Sequence, residues 1–499
     1  MNRLLALPLL FLLMMGCPSA DDDDAAGDDD DATADDDDAT ADDDDATGDD
    51  DDATEDACPD ADADNTVGLQ ICTPDAHPGY TLFGPLGTGT TYLLDLNGRI
   101  VHTWESAYPP GNSLYLLDDG DLLRTGNPQG QSVFSGGGQG GIVERISWDG
   151  TVEWSFTYSD DDVRLHHDIE PMPDGNILMI AWEYKSEAEA VQAGRNPAVL
   201  SAGELWPDHV IEVDPSSDAI VWEWHLWDHL VQDVDANVDN FGVVADNPQL
   251  VDINATRTGG ANPGPADWNH VNAIEYNAAL DQIVLSSHNQ HELWVIDHST
   301  TTAEAAGHTG GNSGRGGDLL YRWGNPSTWD GPGDQVFEGQ HDTQWIPEGL
   351  PGAGDLLIFD NGNQRGWSAV RQITPPVDAD GSYPMTGSEW GPTEATWEYV
   401  ADPQDDFYSS NISGAQRLPN GNTLICEGAW GRLFEVTEAG EIVWQYVSPV
   451  TNQGILDQGD ALPGGGNGGG NSVFRATRID VDHPALQGRD LTPQGTVEG

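Results

Sequence analysis

PNGNTLIC at residues 419–426, followed by GEIVWQY at residues 440–446, contains the two-part unit that decides the fold. In each part a turn rich in glycine, asparagine or acidic residues precedes a short strand, which is typical of antiparallel hairpins. The first part recurs as DDGDLL at residues 118–123, PDGNILM at 173–179 and GAGDLLIF at 352–359. The second part recurs as strands that carry Trp104, Trp154, Trp222, Trp323, Trp397 and Trp444.

Six tryptophan-bearing strands indicate six copies of a four-stranded unit. One such unit cannot bury both faces of its sheet, but several arranged radially can, with tryptophan filling the widening space between them. We therefore predict an all-β fold, a six-bladed β-propeller, with an array of β-sandwiches as the alternative. The long interval after Trp222 predicts an insertion at residues 228–266, and SEAEAVQA at residues 186–193 is the best helical segment. The strand VFRATRI at residues 473–479 is expected to pair with the N-terminal segment and close the ring.

The first residues have the pattern of a processing signal. Arg3 precedes an apolar run at residues 4–15, and Gly16 precedes Cys17. Because an apolar run of about 12 residues is too short to span a bilayer, we predict a lipoprotein signal peptide at residues 1–17 and a lipid anchor on Cys17. A secretory peptide with an incidental Cys17 is the alternative. We expect an extracytoplasmic, membrane-anchored lipoprotein, at the outer membrane, its periplasmic face or the cell surface.

Five copies of a seven-residue unit that begins with four aspartates follow this signal. The unit has no large apolar side chain, and its like charges repel, so we predict a disordered acidic linker at residues 18–65. A calcium-binding array is the alternative, although the repeat lacks the glycine turns of a calcium loop. Residues 21–56 hold 22 acidic groups, and the rest of the chain holds 65 acidic against 17 basic residues. Such a charge disfavours nucleic acid as a partner.

Cofactor chemistry and cysteine chemistry are both restricted by composition. Lys185 is the only lysine and no phosphate-binding glycine motif opens a helix, so we expect no cofactor. Cys58 and Cys72 flank the junction between linker and domain, where a disulfide suits an oxidising compartment. Cys426 lies in an apolar run and is expected to be buried. A cysteine zinc site is disfavoured because the chain has no CxxC pair.

Four short motifs place histidine beside a polar residue at predicted strand boundaries. They are HHD at residues 166–168, HVN at 270–272, SSH at 286–288 and QHD at 340–342. In a β-rich chain this pattern predicts that the histidines converge on one pocket. We expect functional roles for His167, His270, His288 and His341, and structural hydrogen bonds for isolated histidines such as His77. His291, His298 and His308 are left as structural or rim residues.

Long strings around these motifs resemble the bacterial arylsulfotransferases over residues 66–498. Among them are HHDIEPMPDGN, DWNHVNAIEYN, GQHDTQWIPEGLPGAGDLLIFDNG and SGAQRLPNGNTLICEG. The resemblance implies a six-bladed propeller that moves a sulfuryl group from a phenolic sulfate ester to a phenol without 3'-phosphoadenosine-5'-phosphosulfate. It therefore implies phenolic sulfate esters and phenols as substrates. The sequence gives no indication of the oligomeric state.

The resemblance also assigns roles to the histidine motifs. His341 matches the nucleophile that becomes transiently sulfated, since imidazole is a nucleophile at neutral pH. Hydrogen-bond donors to the sulfuryl oxygens are expected from His270 and Asn272, with His167 as first choice and His166 as second for a further donor. One of the histidines is expected to carry the proton to and from the phenols.

One position departs from the family. Where arylsulfotransferases have arginine in an S-S-R motif, this chain has His288, which offers a single donor when neutral. Arg315 and Arg322 are the nearest cationic residues along the chain that could replace it. A non-catalytic propeller that binds a ligand or a metal is the alternative function, because four neutral imidazoles are an ample ligand set for zinc or copper.

Replacement of the predicted lipidation site tests the anchor. In Cys17→Ser no thioether to lipid can form, so the protein should move from the detergent phase to the aqueous phase in a detergent partition experiment. Cys426→Ser is the matched control and should partition like the wild type. Unchanged partition of Cys17→Ser would contradict the lipoprotein prediction.

Overall fold

The computed structural model describes residue 58 and residues 60–130, 132–255, 266–463 and 470–498. These residues form six antiparallel sheets of at least four strands, and the first strands of neighbouring sheets pack side by side around one axis. The predicted all-β six-bladed propeller is therefore confirmed. The predicted signal peptide, Cys17 and most of the predicted acidic linker lie outside the described residues. No helix of the described ranges has the length and apolar character needed to cross a membrane.

The blades are numbered in chain order, and the strand nearest the axis is called the inner strand. From inner to outer, the strands are Val473–Asp480, Gly79–Pro85, Thr90–Leu94 and Ile100–Glu105 in blade 1, Pro110–Leu116, Leu122–Gly126, Ile142–Ile146 and Val152–Thr157 in blade 2, and Val163–Pro171, Ile177–Glu183, Asp208–Asp214 and Ala219–His225 in blade 3. They are Val271–Asn277, Gln282–Ser287, Glu292–Asp297 and Tyr321–Trp323 in blade 4, His341–Trp345, Leu356–Asp360, Ala369–Ile373 and Trp397–Tyr399 in blade 5, and Gly414–Arg417, Thr423–Glu427, Arg432–Val436 and Ile442–Val447 in blade 6.

The ring closes through strands that are distant in the chain. Val473–Asp480 pairs antiparallel with Gly79–Pro85, as predicted, so blade 1 takes its inner strand from the C-terminal part. Blade 6 gains a fifth, outermost strand, Gly68–Cys72. The predicted disulfide joins Cys58 to Cys72, with their Cα atoms 5.8 Å apart, and Cys426 is a buried free thiol. Both ends of the propeller are thus held by sheet pairing.

All six repeat tryptophans lie on the fourth strand of their blade, as the sequence pattern predicts. Four of them are buried, namely Trp104, Trp222, Trp323 and Trp444. Trp154 and Trp397 are only partly buried, but each packs against a cluster formed by its own blade and the next, at the outer margin of the space between them. Their indole N–H groups are satisfied near the surface, by Asp218 Oδ1 at 2.8 Å and by the Glu438 carbonyl at 3.0 Å.

The predicted insertion separates blades 3 and 4. Its described part holds a short parallel pair, Leu230–Val231 with Val251–Asp252, and 3-10 turns at Leu226–Asp228 and Val244–Asp246. The predicted helix is confirmed as α1, Glu187–Gln192, with Ser186 and Glu189 forming a capping box. The remaining elements are α2 at Thr302–Ala305, the strand pairs Lys185–Ser186 with Glu204–Leu205 and Val450–Thr451 with Gly454–Ile455, and 3-10 turns at Pro197–Val199, Pro326–Trp329, Gln404–Asp406, Gly428–Trp430 and Pro484–Leu486.

The inner strands of blades 2 to 5 share an irregularity that positions the site. Each shows a register shift near its start. At or beside the shift stands a residue with left-handed backbone, Asn112, His167, His270 or Asp342, with φ of 103°, 52°, 53° and 51°. A bulge of this kind bends the strand and re-aims its side chains. The histidine motifs are therefore located where the backbone turns its side chains away from the regular alternation.

The imidazole of His298 links blades 3 and 4 and makes stability depend on pH. Its Nε2 lies 3.0 Å from Glu212 Oε2 and its Nδ1 lies 2.8 Å from Asp281 Oδ1. Burial lowers the pKa of His298, but the hydrogen bonds to Glu212 and Asp281 outweigh it and raise the pKa above the ordinary 6.5. The charged ring therefore adds stability that is complete below about pH 6.5 and is lost as the pH rises through the raised pKa.

Comparison of His298→Gln with the wild type at two pH values tests this link. The variant should lose more stability at pH 6 than at pH 9, with a difference on the order of 1 kcal/mol. Thermal denaturation of both proteins at each pH measures it. An equal loss at the two pH values would show that the ring is not charged in the folded protein.

Candidate active site

Five histidine rings form a continuous row between blades 3, 4 and 5. The row runs His166, His167, His270, His288 and His341, with successive ring centroids 5.2, 4.4, 5.2 and 5.2 Å apart. Two come from the inner strand of blade 3, two from the ends of the first two strands of blade 4, and one begins blade 5. The structure thus brings together all four histidines predicted to be catalytic, together with His166.

His270 forms a dyad with Asp267. Its Nδ1 lies 2.5 Å from Asp267 Oδ2, while Asp267 Oδ1 accepts the indole N–H of Trp182 at 3.0 Å. The carboxylate holds a proton on Nδ1, which leaves Nε2 as the nitrogen that can take up or give a proton. The side chain of His270 is 16% exposed, whereas that of His166 is fully buried. This arrangement is suited to general acid–base catalysis.

His341 is held in one tautomer by Asn361. The Asn361 amide nitrogen donates to the carbonyls of Ser409 and Ile412 at 2.8 and 3.0 Å, so its oxygen is the group that accepts His341 Nδ1–H at 2.7 Å. The lone pair of His341 is therefore on Nε2, where the Ile412 N–H donates to it over 3.2 Å. Burial lowers the pKa of His341 to about 3, which keeps the ring neutral. A neutral imidazole with a defined Nε2 lone pair is the form that a nucleophile requires.

His166 and His167 occupy the inner end of the row. His166 stacks on Trp182 with ring centroids 4.0 Å apart, and its Nε2 lies 2.8 Å from Asp208 Oδ1. Its Nδ1 lies 2.9 Å from Nδ1 of His167. Burial lowers the pKa of His166 to about 3 and that of His167 well below 6.5. His167 contacts His270 directly and His166 stands behind it, whereas the preference for His167 as a donor to the sulfuryl group stays a prediction.

The polar neighbours of the row tie blade 4 to blade 5. Asn272 is fully buried, and its amide donates to the Gln340 carbonyl at 2.9 Å. The Gln340 amide donates in turn to Ser286 Oγ and to the Ser287 and Glu292 carbonyls. Asn272 thus fixes the backbone just before His341, and its contact with substrate stays a prediction. His288 is oriented by Asn289, whose Oδ1 lies 3.0 Å from His288 Nδ1.

The axial arginine is Arg475, on the closing strand of blade 1. Arg322 lies instead on the outer strand of blade 4, paired with Glu292, so the suggestion that it replaces the family arginine is wrong. Arg475 contacts Asp342 Oδ1 at 2.6 Å and Asp168 Oδ1 at 2.5 Å. These two aspartates directly follow His341 and His167, so Arg475 positions both backbone bends. Its place in the predicted closing strand was the available signal for it.

A glycine-rich loop, GGGQGG at residues 136–141, lies against the row. The His167 N–H donates to the Gly138 carbonyl at 2.8 Å. Gly138 has φ of +70°, and a Cβ there would lie 2.2 Å from Nε2 of His167. This position therefore needs glycine both for its backbone conformation and for the space that His167 occupies. Sequence reasoning missed the loop, although its composition marks it.

The fold and the site together define the class of protein: a six-bladed propeller with a row of histidines near its axis. The model of the arylsulfotransferase (ASST) family matches residues 86–454, and the chain belongs to this family.

Two arylsulfate sulfotransferases named AssT are among its relatives. The protein from Escherichia coli O6:H1 is 27% identical over 253 residues, which cover 46% of this chain and 40% of that protein. The protein from Lelliottia amnigena is 27% identical over 178 residues, which cover 34% and 29%. The chain thus matches less than half the length of these relatives. A protein of unknown function from Bacteroides caccae is 11% identical, with 81% of this chain and 99% of that chain covered and a TM-score of 0.42.

Two glycine-to-alanine changes in blade 2 separate backbone strain from the contact with His167. Gly150 has φ of +85°, and a Cβ there would have no other atom within 4 Å. Gly150→Ala should therefore lower the free energy of unfolding only by the cost of a left-handed backbone, roughly 1–2 kcal/mol. Gly138→Ala should cost more, because the methyl group also displaces the His167 ring. Thermal denaturation of both variants gives the comparison. Equal losses would show that the loop does not constrain His167.

Proposed function

We propose that this protein transfers a sulfuryl group from an aryl sulfate to a phenol through a sulfohistidine at His341. The observation that carries the proposal is the row of touching histidines in which two have defined proton positions. His341 presents its lone pair at Nε2 because of Asn361, and His270 is poised for proton exchange because of Asp267. Membership of the arylsulfotransferase family and the relatives named arylsulfate sulfotransferase support the same chemistry.

The first step forms the covalent intermediate. Nε2 of His341 attacks sulfur, an N–S bond forms and the S–O bond to the aryl group breaks. The departing phenolate takes a proton from Nε2 of the His270 imidazolium, which becomes neutral. The Ile412 N–H gives up its contact with Nε2, a contact already long at 3.2 Å.

The second step returns the enzyme to its starting form. A phenol gives its proton to Nε2 of His270, and its oxygen attacks sulfur as the N–S bond breaks. The reaction consumes one sulfate ester and one phenol and releases a new sulfate ester and a new phenol, so it needs no cofactor. His167 and His288 flank His270 in the row and supply hydrogen bonds to the sulfuryl oxygens, on which charge is concentrated during transfer.

The same proposal places the activity outside the cytoplasm, on a protein anchored through Cys17. The Cys58–Cys72 disulfide supports this location, because such bonds persist in oxidising compartments.

Incubation with 4-nitrophenyl sulfate, with and without a phenol, tests the function. Release of 4-nitrophenol that depends on the acceptor would identify a transferase. Release without an acceptor would identify a sulfatase. Release in neither case, with metal bound at the histidine row, would favour the non-catalytic binding propeller.

Replacement of the nucleophile tests the intermediate. His341→Asn should abolish transfer, because the amide roughly preserves volume but cannot accept the sulfuryl group. Wild-type protein given donor alone should gain about 80 Da on the peptide that contains His341, as measured by mass spectrometry. Labelling should be equal at pH 8 and pH 5, since the pKa of about 3 keeps His341 neutral at both. Near-normal turnover by the variant would move the role to His270.

Asp267→Asn tests the proton carrier. Because the Trp182 N–H retains the side-chain oxygen, the new amide nitrogen would face His270 Nδ1 and force the ring proton onto Nε2. The ring then cannot accept the proton of the incoming phenol, and turnover should fall by about 10²–10⁴-fold. Labelling of His341 by 4-nitrophenyl sulfate should survive, because nitrophenolate leaves with little proton assistance.

A matched control is Asp480→Asn, which alters another His–Asp contact, that with His77 at 2.6 Å. This variant should keep both half-reactions. Equal loss of both half-reactions in Asp267→Asn would show that Asp267 is needed for structure and not for proton transfer.

A further inference from the structure

We infer that His229, His308 and Asp318 bind a divalent transition-metal ion of the zinc type, which fastens the insertion to blade 4. His229 stands at the start of the insertion, and the other two lie in the loop between the third and fourth strands of blade 4. Asp318 Oδ1 lies 2.9 Å from His229 Nδ1 and 2.7 Å from His308 Nδ1. These are ligand atoms from three side chains, all within 4.8 Å of one another.

The hydrogen bond of Nε2 shows which nitrogen of His229 carries the proton. Nε2 lies 2.7 Å from the Ala305 carbonyl oxygen, which can only accept, so Nε2 carries the proton. A neutral His229 therefore points the Nδ1 lone pair at a carboxylate oxygen. Two acceptors at 2.9 Å require either a proton on one of them or a metal ion between them. Neutral imidazole that donates its other N–H to a carbonyl is the usual state of a metal-bound histidine.

The surroundings fix these groups in place. His229 is fully buried and stacks on Trp224, whose indole N–H donates to the Gly317 carbonyl at 2.8 Å. A Cβ on Gly317 would lie 2.0 Å from the Ala305 carbonyl oxygen and 2.5 Å from His229 Nε2. Glycine is therefore required for the loop to approach His229 this closely. The preceding residue, Gly316, has φ of +61° and turns the chain towards Asp318.

The donor set selects the ion. Two imidazole nitrogens and one carboxylate oxygen suit zinc and its neighbours in the first transition series, whereas calcium and magnesium prefer oxygen alone. The side chain of His308 is 60% exposed, so a water molecule can complete a four-coordinate site. Zinc ligands stand about 2.0–2.1 Å from the ion, which requires the ligand atoms to separate by a few tenths of an ångström. The exposed His308 can make that movement.

His298 is a histidine of the same protein that binds carboxylates through hydrogen bonds alone. Its two nitrogens face two different carboxylates, so one imidazolium satisfies both. At Asp318, by contrast, two imidazole nitrogens converge on one oxygen. A metal ion shared by the three side chains would bring both nitrogens to this oxygen. A single ring proton would not require both to be there.

Metal binding by the full chain tests the site without any activity assay. Protein stripped with a chelator is titrated with Zn²⁺, and with Co²⁺ as a spectroscopic probe, and bound metal is counted after dialysis. We expect one Zn²⁺ per chain, a visible Co²⁺ spectrum of tetrahedral type, and a melting temperature that rises with Zn²⁺. His308→Ala, a change at an exposed side chain that leaves the fold intact, should weaken binding by at least about tenfold and remove the rise.

Two controls locate the ion. His298→Gln and His288→Ala should bind Zn²⁺ as the wild type does, since the first alters a remote histidine and the second alters the axial row. Loss of the metal in His288→Ala, with retention in His308→Ala, would assign the ion to the row and overturn the proposal. Absence of Zn²⁺ from the stripped and titrated wild type would also overturn it. Sulfuryl transfer is assayed separately, so failure of the metal site and failure of the proposed function are distinguishable.

Discussion

The bidentate reach of Arg475 to Asp168 and Asp342 is the interaction on which the site depends. Both aspartates are buried, and burial raises the pKa of Asp168. Burial lowers the pKa of Arg475, but its acidic neighbours outweigh it and raise that pKa well above its ordinary value, so the guanidinium stays charged. Arg475 is partly buried between two buried carboxylates, and its separation from either would leave a buried charge unpaired. It therefore holds the two strands that carry His167 and His341 at a fixed spacing across the axis.

Burial of the site also sets the protonation state of its histidines. Protein charge is strongly negative, and exposed histidines in such a field would tend to be protonated. Burial reverses this tendency for His166, His167 and His341, whose pKa values fall. Deeper on the axis a cavity of about 130 Å³ is lined by Tyr115, Glu170 and Glu275. Burial raises the pKa of Glu170, and the nearby charge of Asp168 raises it further, which favours the protonated form of this carboxyl group.

The sequence predicted those features of the fold for which a local pattern of residues is compatible with a single structure. Turn residues before short strands predicted the blades, and the motif histidines did converge. The repeat marks the strand that carries Trp154 but not the depth of the space beside it, so its partial burial was not predicted. Asn361, Asp267 and Arg475 could not be assigned to the site in advance, because each acts on a histidine through contacts that only the folded ring creates. Asp267 lies three residues before His270, and that spacing offered a local hint, as did the place of Arg475 in the predicted closing strand.

The closing strand has a consequence for biogenesis. Arg475 stands on Val473–Asp480, the last of the described propeller strands in chain order, and this strand pairs with Gly79–Pro85, one of the first. Until residues 473–480 emerge, Asp168 and Asp342 lack the guanidinium of Arg475 between them. A nascent chain therefore cannot hold the histidine row in its final geometry. The histidine row therefore reaches its final geometry only when residues 473–480 have joined blade 1.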